Sequence, residues 1–237
     1  MSKSLILSVF LVFLAGSVFA CVDPYNPNDV TIGNCQANDI TNYRITDNLP
    51  VLTPSDLSAS ELAIHEANMN YTLNLSKSMN RKFVATIYDA NNNLMCSGVN
   101  TGKPNMISHG EIVAINNCSA LYNTTVFTNM TLYTTGEPCA MCASALLWAD
   151  FKTVVYGTAN KRLYCQTCMS NIPIDSSYIM GRYYGLRNRA PRLIGGVLQS
   201  LTDAWFTSYC DKPNSIYYMQ PQCACQSSTP TTAPTTA

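Results

Sequence analysis

The chain has 237 residues, of which 47% are hydrophobic and 12% are charged. This length and apolar content are typical of one ordinary globular domain and argue against intrinsic disorder. Lysine and arginine together number 14, and so do aspartate and glutamate. Proteins that hold long nucleic acids by their phosphates usually carry a basic excess, so the charge balance disfavours such a ligand.

The first 20 residues have the pattern of a secretory signal peptide. Lys3 supplies a short positive end, an apolar run covers residues 5–15, and small residues precede a cleavage point at Cys21. One alternative is a transmembrane anchor, for which the run is short. The other is a lipoprotein signal ending at Cys21, for which Phe19 is a poor residue. We therefore expect a secreted protein that makes no membrane contact after signal removal, with 13 basic against 14 acidic residues once Lys3 is lost.

Asn-x-Ser/Thr sequons support a eukaryotic secretory route. Asn117 falls within a predicted helix and is expected to remain unused. The predicted glycosylation sites are Asn70, Asn74, Asn123 and Asn129. The chain also has 11 cysteines, which tend to pair in an oxidising compartment; several connectivities are open.

Helices and strands alternate in the predicted order of elements. Ser58 or Ser60 can cap a helix that continues to Leu75, because apolar residues recur there with mostly helical spacing. Two β-rich stretches on either side of a strong turn predict a hairpin at 83–88 and 94–99. The later elements are a helix capped by Ser108 and running to Leu121, a strand at 131–135, a helix at 139–149, a strand at 154–157, a strand at 193–197 and a helix at 198–209. The strand–helix–strand unit within 131–157 predicts parallel pairing.

Five segments follow from these patterns and from composition. They are a signal peptide (1–20), an irregular arm (21–57), an α/β domain (58–210), a Cys-containing extension (211–225) and a disordered tail rich in Ser, Thr and Pro (226–237).

The chemistry-bearing residues form two short motifs. His109-Gly110-Glu111 precedes a helix, and Pro138-Cys139-Ala140-Met141-Cys142 opens the next one. One His and two Cys supply three ligands of a tetrahedral zinc ion, whose fourth position takes water. Cys139 and Cys142 are three residues apart, so they share one side of a helical first turn, where N–H groups favour thiolates. Glu111 is then close enough to touch zinc-bound water without being a ligand.

Each Cys-x-x-Cys pair also has a simpler interpretation. In a secreted chain such a pair is more often a disulfide or a structural metal site. For Cys139 and Cys142 the upstream His-x-Glu favours a catalytic metal, because a structural site would need a fourth protein ligand. Cys165 and Cys168 have no His nearby and are expected to be disulfide-bonded, with a second metal site as the alternative. His65, on a helix rich in polar residues, is expected at the surface.

These motifs resemble the signature of the cytidine and deoxycytidylate deaminase superfamily, H-x-E followed by P-C-x-x-C. The stretch LYTTGEPCAMCASALLWADFKTVVYG at 132–157 is most similar to the guanine deaminase and tRNA adenosine deaminase branch. The resemblance, from about Glu61 to Phe206, implies a three-layer α/β/α sandwich with a central mixed sheet. It also implies that the domain at 58–210 is catalytic. The residue roles that it implies are Zn²⁺ ligation by His109, Cys139 and Cys142 and proton transfer by Glu111.

Two substrate-binding residues follow from the same resemblance. Asn100 follows the predicted hairpin and is similar to the Asn with which the family contacts the base. The alternative is that Asn100 only stabilises a turn. Gly110 stands where the family usually has Ala, so its backbone N–H would contact substrate with more room.

The resemblance implies hydrolytic removal of an exocyclic amine from a nucleobase, nucleoside or nucleotide, with release of ammonia. The alternative is a catalytically inactive, secreted, zinc-stabilised glycoprotein that binds a partner; such a protein would have no need of Glu111 beside the metal. The expected partner is a small nucleobase or nucleoside, and the implied assembly is a homodimer.

Overall fold

A computed structural model describes residues 49–187 and 190–220. The expected signal peptide and tail lie outside the described residues, as does most of the expected arm. In chain order the elements are β1 (Val51–Leu52), a 3-10 turn (Pro54–Asp56), α1 (Ala59–Ser78), β2 (Val84–Tyr88), β3 (Leu94–Val99), α2 (Gly110–Tyr122), β4 (Thr131–Gly136), α3 (Ala140–Trp148), β5 (Thr153–Thr158), α4 (Asn160–Cys165), α5 (Ser176–Arg187), β6 (Arg192–Gly195) and α6 (Gln199–Trp205).

The strands form one mixed sheet in the order β1-β6-β5-β4-β2-β3. β2 runs antiparallel to β3 and β4, whereas β4, β5, β6 and β1 are mutually parallel. Every residue of β2 and β5 is buried, as expected for central strands that are covered on both faces. The sheet and its flanking helices confirm the predicted α/β/α sandwich.

Alternation along the central strands divides the core between the two faces of the sheet. Leu132 and Val154 belong to a cluster that includes residues of α2, α3 and α5. Tyr133 and Val155, one position further along the same strands, belong to a second cluster with Met69 of α1. This is the period of two that a pleated strand imposes.

The segment 49–57, which was expected to belong to the irregular arm, contains a short strand that the sequence did not predict. Val51 and Leu52 pair in parallel with Leu193 and Ile194 of β6, so β1 is an edge strand of the sheet. Two residues are too few to show a period in sequence. Pairing here depends on β6, whose free edge offers unpaired backbone groups.

The hairpin and α2 approach each other closely. A Cβ atom on Gly98 of β3 would overlap the backbone of Gly110 and Ala114, so only glycine fits there. A disulfide between Cys96 and Cys118 joins the same two elements across a separation of 22 residues. By the chain-entropy argument, a loop of this size stabilises the fold by about 3 kcal/mol.

A second disulfide, Cys168–Cys210, joins the loop after α4 to the segment that follows α6. The two segments also pair through their backbones, because Ser170 N–H donates to Tyr217 O at 2.8 Å. Cys165 is disulfide-bonded as well. Both cysteines of the Cys165-x-x-Cys168 motif are thus disulfide-bonded, as expected, but Cys168 pairs with Cys210 and not with Cys165.

His65 is buried, which contradicts its expected surface position. It is 7% exposed, and its Nδ1 lies 2.8 Å from the Tyr133 hydroxyl. Asn68 Nδ2 donates to the same hydroxyl at 3.0 Å. Polar residues of α1 thus form hydrogen bonds with the buried Tyr133 hydroxyl, whereas others face water. No helix in the described part of the chain is long and apolar enough to cross a bilayer.

Candidate metal centre

The first residues of α2 and α3 lie next to each other, on the face of the sheet that these two helices cover. His109 is the N-cap of α2 and Cys139 is the N-cap of α3, each with an extended backbone. Cys142 lies in the first turn of α3. The ligand atoms of the three side chains all lie within 4.8 Å of one another. The expected cap, Ser108, lies one residue too early.

The spacing of these atoms fits zinc. His109 Nδ1 lies 3.5 Å from Cys139 Sγ and 3.5 Å from Cys142 Sγ. In a tetrahedral site, bonds of about 2.1 Å to nitrogen and about 2.3 Å to sulfur would separate the two atoms by about 3.6 Å. Three N and S donors at this spacing can hold zinc and leave a fourth position open. Cys142 is fully buried, whereas His109 and Cys139 are partly exposed, so the site opens on their side.

The local electrostatics favour a thiolate at the mouth of the site. The Cys142 thiol donates to Cys139, and the His109 ring also bonds to that sulfur, which lowers the pKa of Cys139 to about 4. The same bond to Cys139, together with burial, raises the pKa of Cys142. One ligand is therefore ready to bind a cation, and metal binding would displace the proton of the other.

Glu111 lies beside the cluster, in the first turn of α2. It is 4% exposed, and burial, followed by the neighbouring Cys139, raises the pKa of its carboxyl. The Thr134 hydroxyl of β4 donates to Glu111 Oε1 at 3.2 Å. Sequence reasoning missed Thr134, although the alternation of β4 places it on the same face as Leu132.

The structure shows the local surroundings of Asn100 and Gly110, the two residues expected to contact substrate. Asn100 Oδ1 accepts a bond from Gly102 N at 3.1 Å, which is the turn chemistry of the alternative interpretation. Among the described residues, no group accepts a bond from its Nδ2, which remains available to a ligand. A Cβ on Gly110 would lie 3.2 Å from backbone atoms of Phe83, Ala85 and Gly98. The side-chain position therefore faces the hairpin, and the expectation of extra room for substrate is wrong.

The comparisons with known proteins agree with this geometry. Residues 55–158 match the family model described as the cytidine and deoxycytidylate deaminase zinc-binding region. The tRNA-specific adenosine deaminase of Rickettsia typhi is 35% identical over 81 residues, which cover 33% of this chain and 55% of that protein. The probable cytosine deaminase of Schizosaccharomyces pombe is 26% identical over 135 residues, which cover 55% of this chain and 82% of that protein. Across four tRNA-specific adenosine deaminase chains, the match spans 14% to 55% of the relative's length.

A solved structure shows the same architecture. The crystal structure of a point mutant of NE0047, in complex with 8-azaguanine, aligns with a TM-score of 0.53 and 25% identity. The alignment covers 61% of this chain and 83% of that one. Residues 55–158 thus match the zinc-binding region of this deaminase family, and the cluster of His109, Cys139 and Cys142 is consistent with a zinc site. The proteins that this chain resembles in sequence include tRNA-specific adenosine deaminases.

Proposed function

We propose that this chain is a zinc-dependent hydrolase that removes the exocyclic amine of a free nucleobase or nucleoside and releases ammonia. The observation that carries the proposal is the position of Glu111. A buried carboxylate stands next to three zinc donors, and a hydroxyl fixes one of its two oxygens. A metal needed only for stability would not require that carboxylate.

His109, Cys139 and Cys142 would hold the zinc ion. When bound, zinc supplies Lewis acidity that makes water a nucleophile near neutral pH. Glu111 would take a proton from the attacking water and deliver it to the ring nitrogen, then take the proton of the hydroxyl newly bonded to the ring carbon and deliver it to the departing amine. The bond from Thr134 to Oε1 orients the carboxyl for these transfers. Burial of Glu111 keeps bulk water from competing for the proton.

A purine base, guanine first, is the substrate we favour. NE0047, with the same fold, binds 8-azaguanine. The balanced charge of the chain disfavours a long polynucleotide. Two arginines among the described residues are also engaged by carboxylates, because Arg162 pairs with Asp203 at 3.0 Å and Arg192 pairs with Glu61. Asn100 Nδ2 and the Gly110 N–H remain our candidates for base contacts.

We also propose that the protein is secreted and glycosylated. Disulfides such as Cys96–Cys118 and Cys168–Cys210 persist in oxidising compartments and are rare in the cytosol. All four predicted glycosylation sites, Asn70, Asn74, Asn123 and Asn129, are exposed. Asn117 is exposed as well, but its side chain donates to Ser97 O at 2.9 Å.

The decisive experiment is secretory expression of the full chain, with zinc measured by atomic emission and ammonia release measured across bases and nucleosides. We expect near one zinc per chain and turnover of a purine. Glu111→Gln should retain zinc and lose turnover about 10²- to 10⁴-fold, the usual contribution of general acid–base catalysis. Retained turnover in that variant would sink the mechanism. Zinc without turnover of any substrate would favour the zinc-stabilised binding protein instead.

A further inference from the structure

Glu137 is a buried acid with no part in the proposed chemistry. It follows the last residue of β4 and precedes the turn into α3, and it is 5% exposed. Within the described residues no ion pair involves it, so its charge is balanced by hydrogen bonds alone. Ser176 donates to its Oε1 twice, from N at 2.7 Å and from Oγ at 2.6 Å. Asn160 N donates to its Oε2 at 2.8 Å.

Both donors are the first residues of helices. Asn160 begins α4 and Ser176 begins α5, so the carboxylate faces the positive ends of two helix dipoles. The backbone N–H of Glu137 also donates to Thr158 O at 2.7 Å, at the end of β5. One side chain therefore fixes where two helices start relative to the end of the sheet.

Asn160 extends these contacts to the metal turn. It is 1% exposed, and its Nδ2 donates to Pro138 O at 3.1 Å and to Ile174 O at 3.4 Å. Its Oδ1 accepts from Asn171 Nδ2 at 2.7 Å. The Pro138 carbonyl belongs to the peptide that leads into Cys139. A continuous path of hydrogen bonds thus runs from the Glu137 carboxylate through Asn160 to the peptide that carries a zinc ligand.

We propose that Glu137 is a positioning residue that holds Cys139 in its zinc-binding geometry through Asn160 and Ser176. The proposal relies on the ligand set given above, but not on any substrate. Without the carboxylate, the N–H groups at the starts of α4 and α5 lose their buried acceptor. The turn at Pro138 then loses its anchor. A purely structural role would lower stability and leave zinc affinity unchanged.

The test is a zinc titration of the full chain against a competing chelator, with thermal unfolding measured in parallel. Glu137→Gln preserves the size of the side chain but replaces one acceptor oxygen by an NH₂ group, which only donates. The N–H groups of one of the two helices therefore lose their acceptor. We expect its Kd for zinc to rise about tenfold, the lower end of the range for residues that support metal ligands.

The matched control is Thr72→Val. It removes a buried bond of 2.6 Å between Thr72 and Thr86 that lies on the other face of the sheet. We expect a lower Tm and a zinc Kd within about twofold of the original chain, because distant sites act independently. Ser176→Ala, a milder change that removes one donor and keeps both backbone bonds, should weaken zinc by a smaller factor than Glu137→Gln.

Two results would overturn the proposal. One is a folded Glu137→Gln variant whose zinc Kd stays within about twofold of the original. The other is an equal loss of zinc affinity in Thr72→Val. If Glu137→Gln does not fold, Ser176→Ala decides, and a lower Tm with unchanged Kd refutes the role. A chain that binds zinc but has no deaminase activity would refute the proposed function. The zinc titration would still test the role of Glu137.

Discussion

Two neighbouring residues of β4 face opposite sides of the sheet and end in two different buried polar clusters. Tyr133 meets His65 and Asn68 of α1, which we term the α1 cluster. Thr134 meets Glu111 next to His109 and the two cysteines, which we term the metal cluster. Each cluster contains one of the two histidines of the chain.

The two clusters differ in whether protein groups satisfy them. In the α1 cluster, His65 contacts the Tyr133 hydroxyl on one side and Glu61 at 3.6 Å on the other. Burial lowers the pKa of His65, although Glu61 opposes this. In the metal cluster, His109 faces two sulfur atoms, and its bond to Cys139 raises its pKa. A polar cluster whose groups satisfy one another supports the fold, whereas soft donors gathered around one point call for a cation.

The largest effect should follow from Cys142→Ser. A serine hydroxyl is a poor zinc ligand, so we expect the zinc content to fall from near one per chain towards zero, and activity to fall with it. Metal analysis after dialysis measures this directly. The control is Ser144→Ala in the same helix, where the lost bond is internal, from Oγ to Ala140 O. Normal zinc in Cys142→Ser would remove it from the ligand set.

Thr134→Val should produce the next largest effect. Loss of one bond to a buried carboxylate is worth about 1.4 kcal/mol or more, so kcat should fall about tenfold while zinc content and KM change little. Thr134→Ser keeps the hydroxyl and should restore the rate. Thr158→Val removes a comparable buried bond, to Thr202 at 3.0 Å, and should leave kcat unchanged. Equal losses in both valine variants would show that Thr134 acts only on stability.

Tyr133→Phe sharpens the comparison from the other face of the sheet. The change leaves His65 Nδ1 and Asn68 Nδ2 without the hydroxyl, and buried unsatisfied groups cost about 1–3 kcal/mol. We expect a lower free energy of unfolding in denaturant, with zinc content unaltered. Zinc loss in this variant would mean that the two clusters are coupled through β4.

The smallest effect is a pH dependence of stability. Because burial lowers the pKa of His65 below its ordinary 6.5, the unfolded chain binds a proton that the folded chain does not. The contribution of neutral His65 to stability should be fully present above pH 6.5 and should decline as the pH falls below that value. The groups that face His65 are Glu61, Tyr133 and, through Glu61, Arg192; the lowered pKa of Glu61 adds the same sign at lower pH.

Thermal unfolding at about pH 7.5 and about pH 5.5 measures this dependence. His65→Gln lacks the titrating ring and should show a smaller difference in Tm between the two conditions. An equal difference in both proteins would assign the dependence to other groups.

Local sequence determined the parts of the site that local geometry can specify. Cys139 and Cys142 share one side of a helix because residues three apart do so in any α-helix. The start of α1 was readable because Ser58 accepts from Glu61 N at 3.3 Å, within one turn. The central strands followed from runs of β-branched and aromatic residues, and the candidate ligands from their residue types and spacing, whereas the sandwich was expected from the family resemblance.

The tertiary structure decided the contacts between residues far apart in the chain. His65 and Tyr133 are separated by 68 positions, and Glu137 and Ser176 by 39. Nothing local distinguishes a polar residue that faces water from one that satisfies a distant buried group, because both have the same neighbours in sequence. The pairing of Cys168 with Cys210 and the strand at Val51–Leu52 are of the same kind. In this protein the sequence set which residues could bind zinc, and the packing of distant segments set what holds them in place.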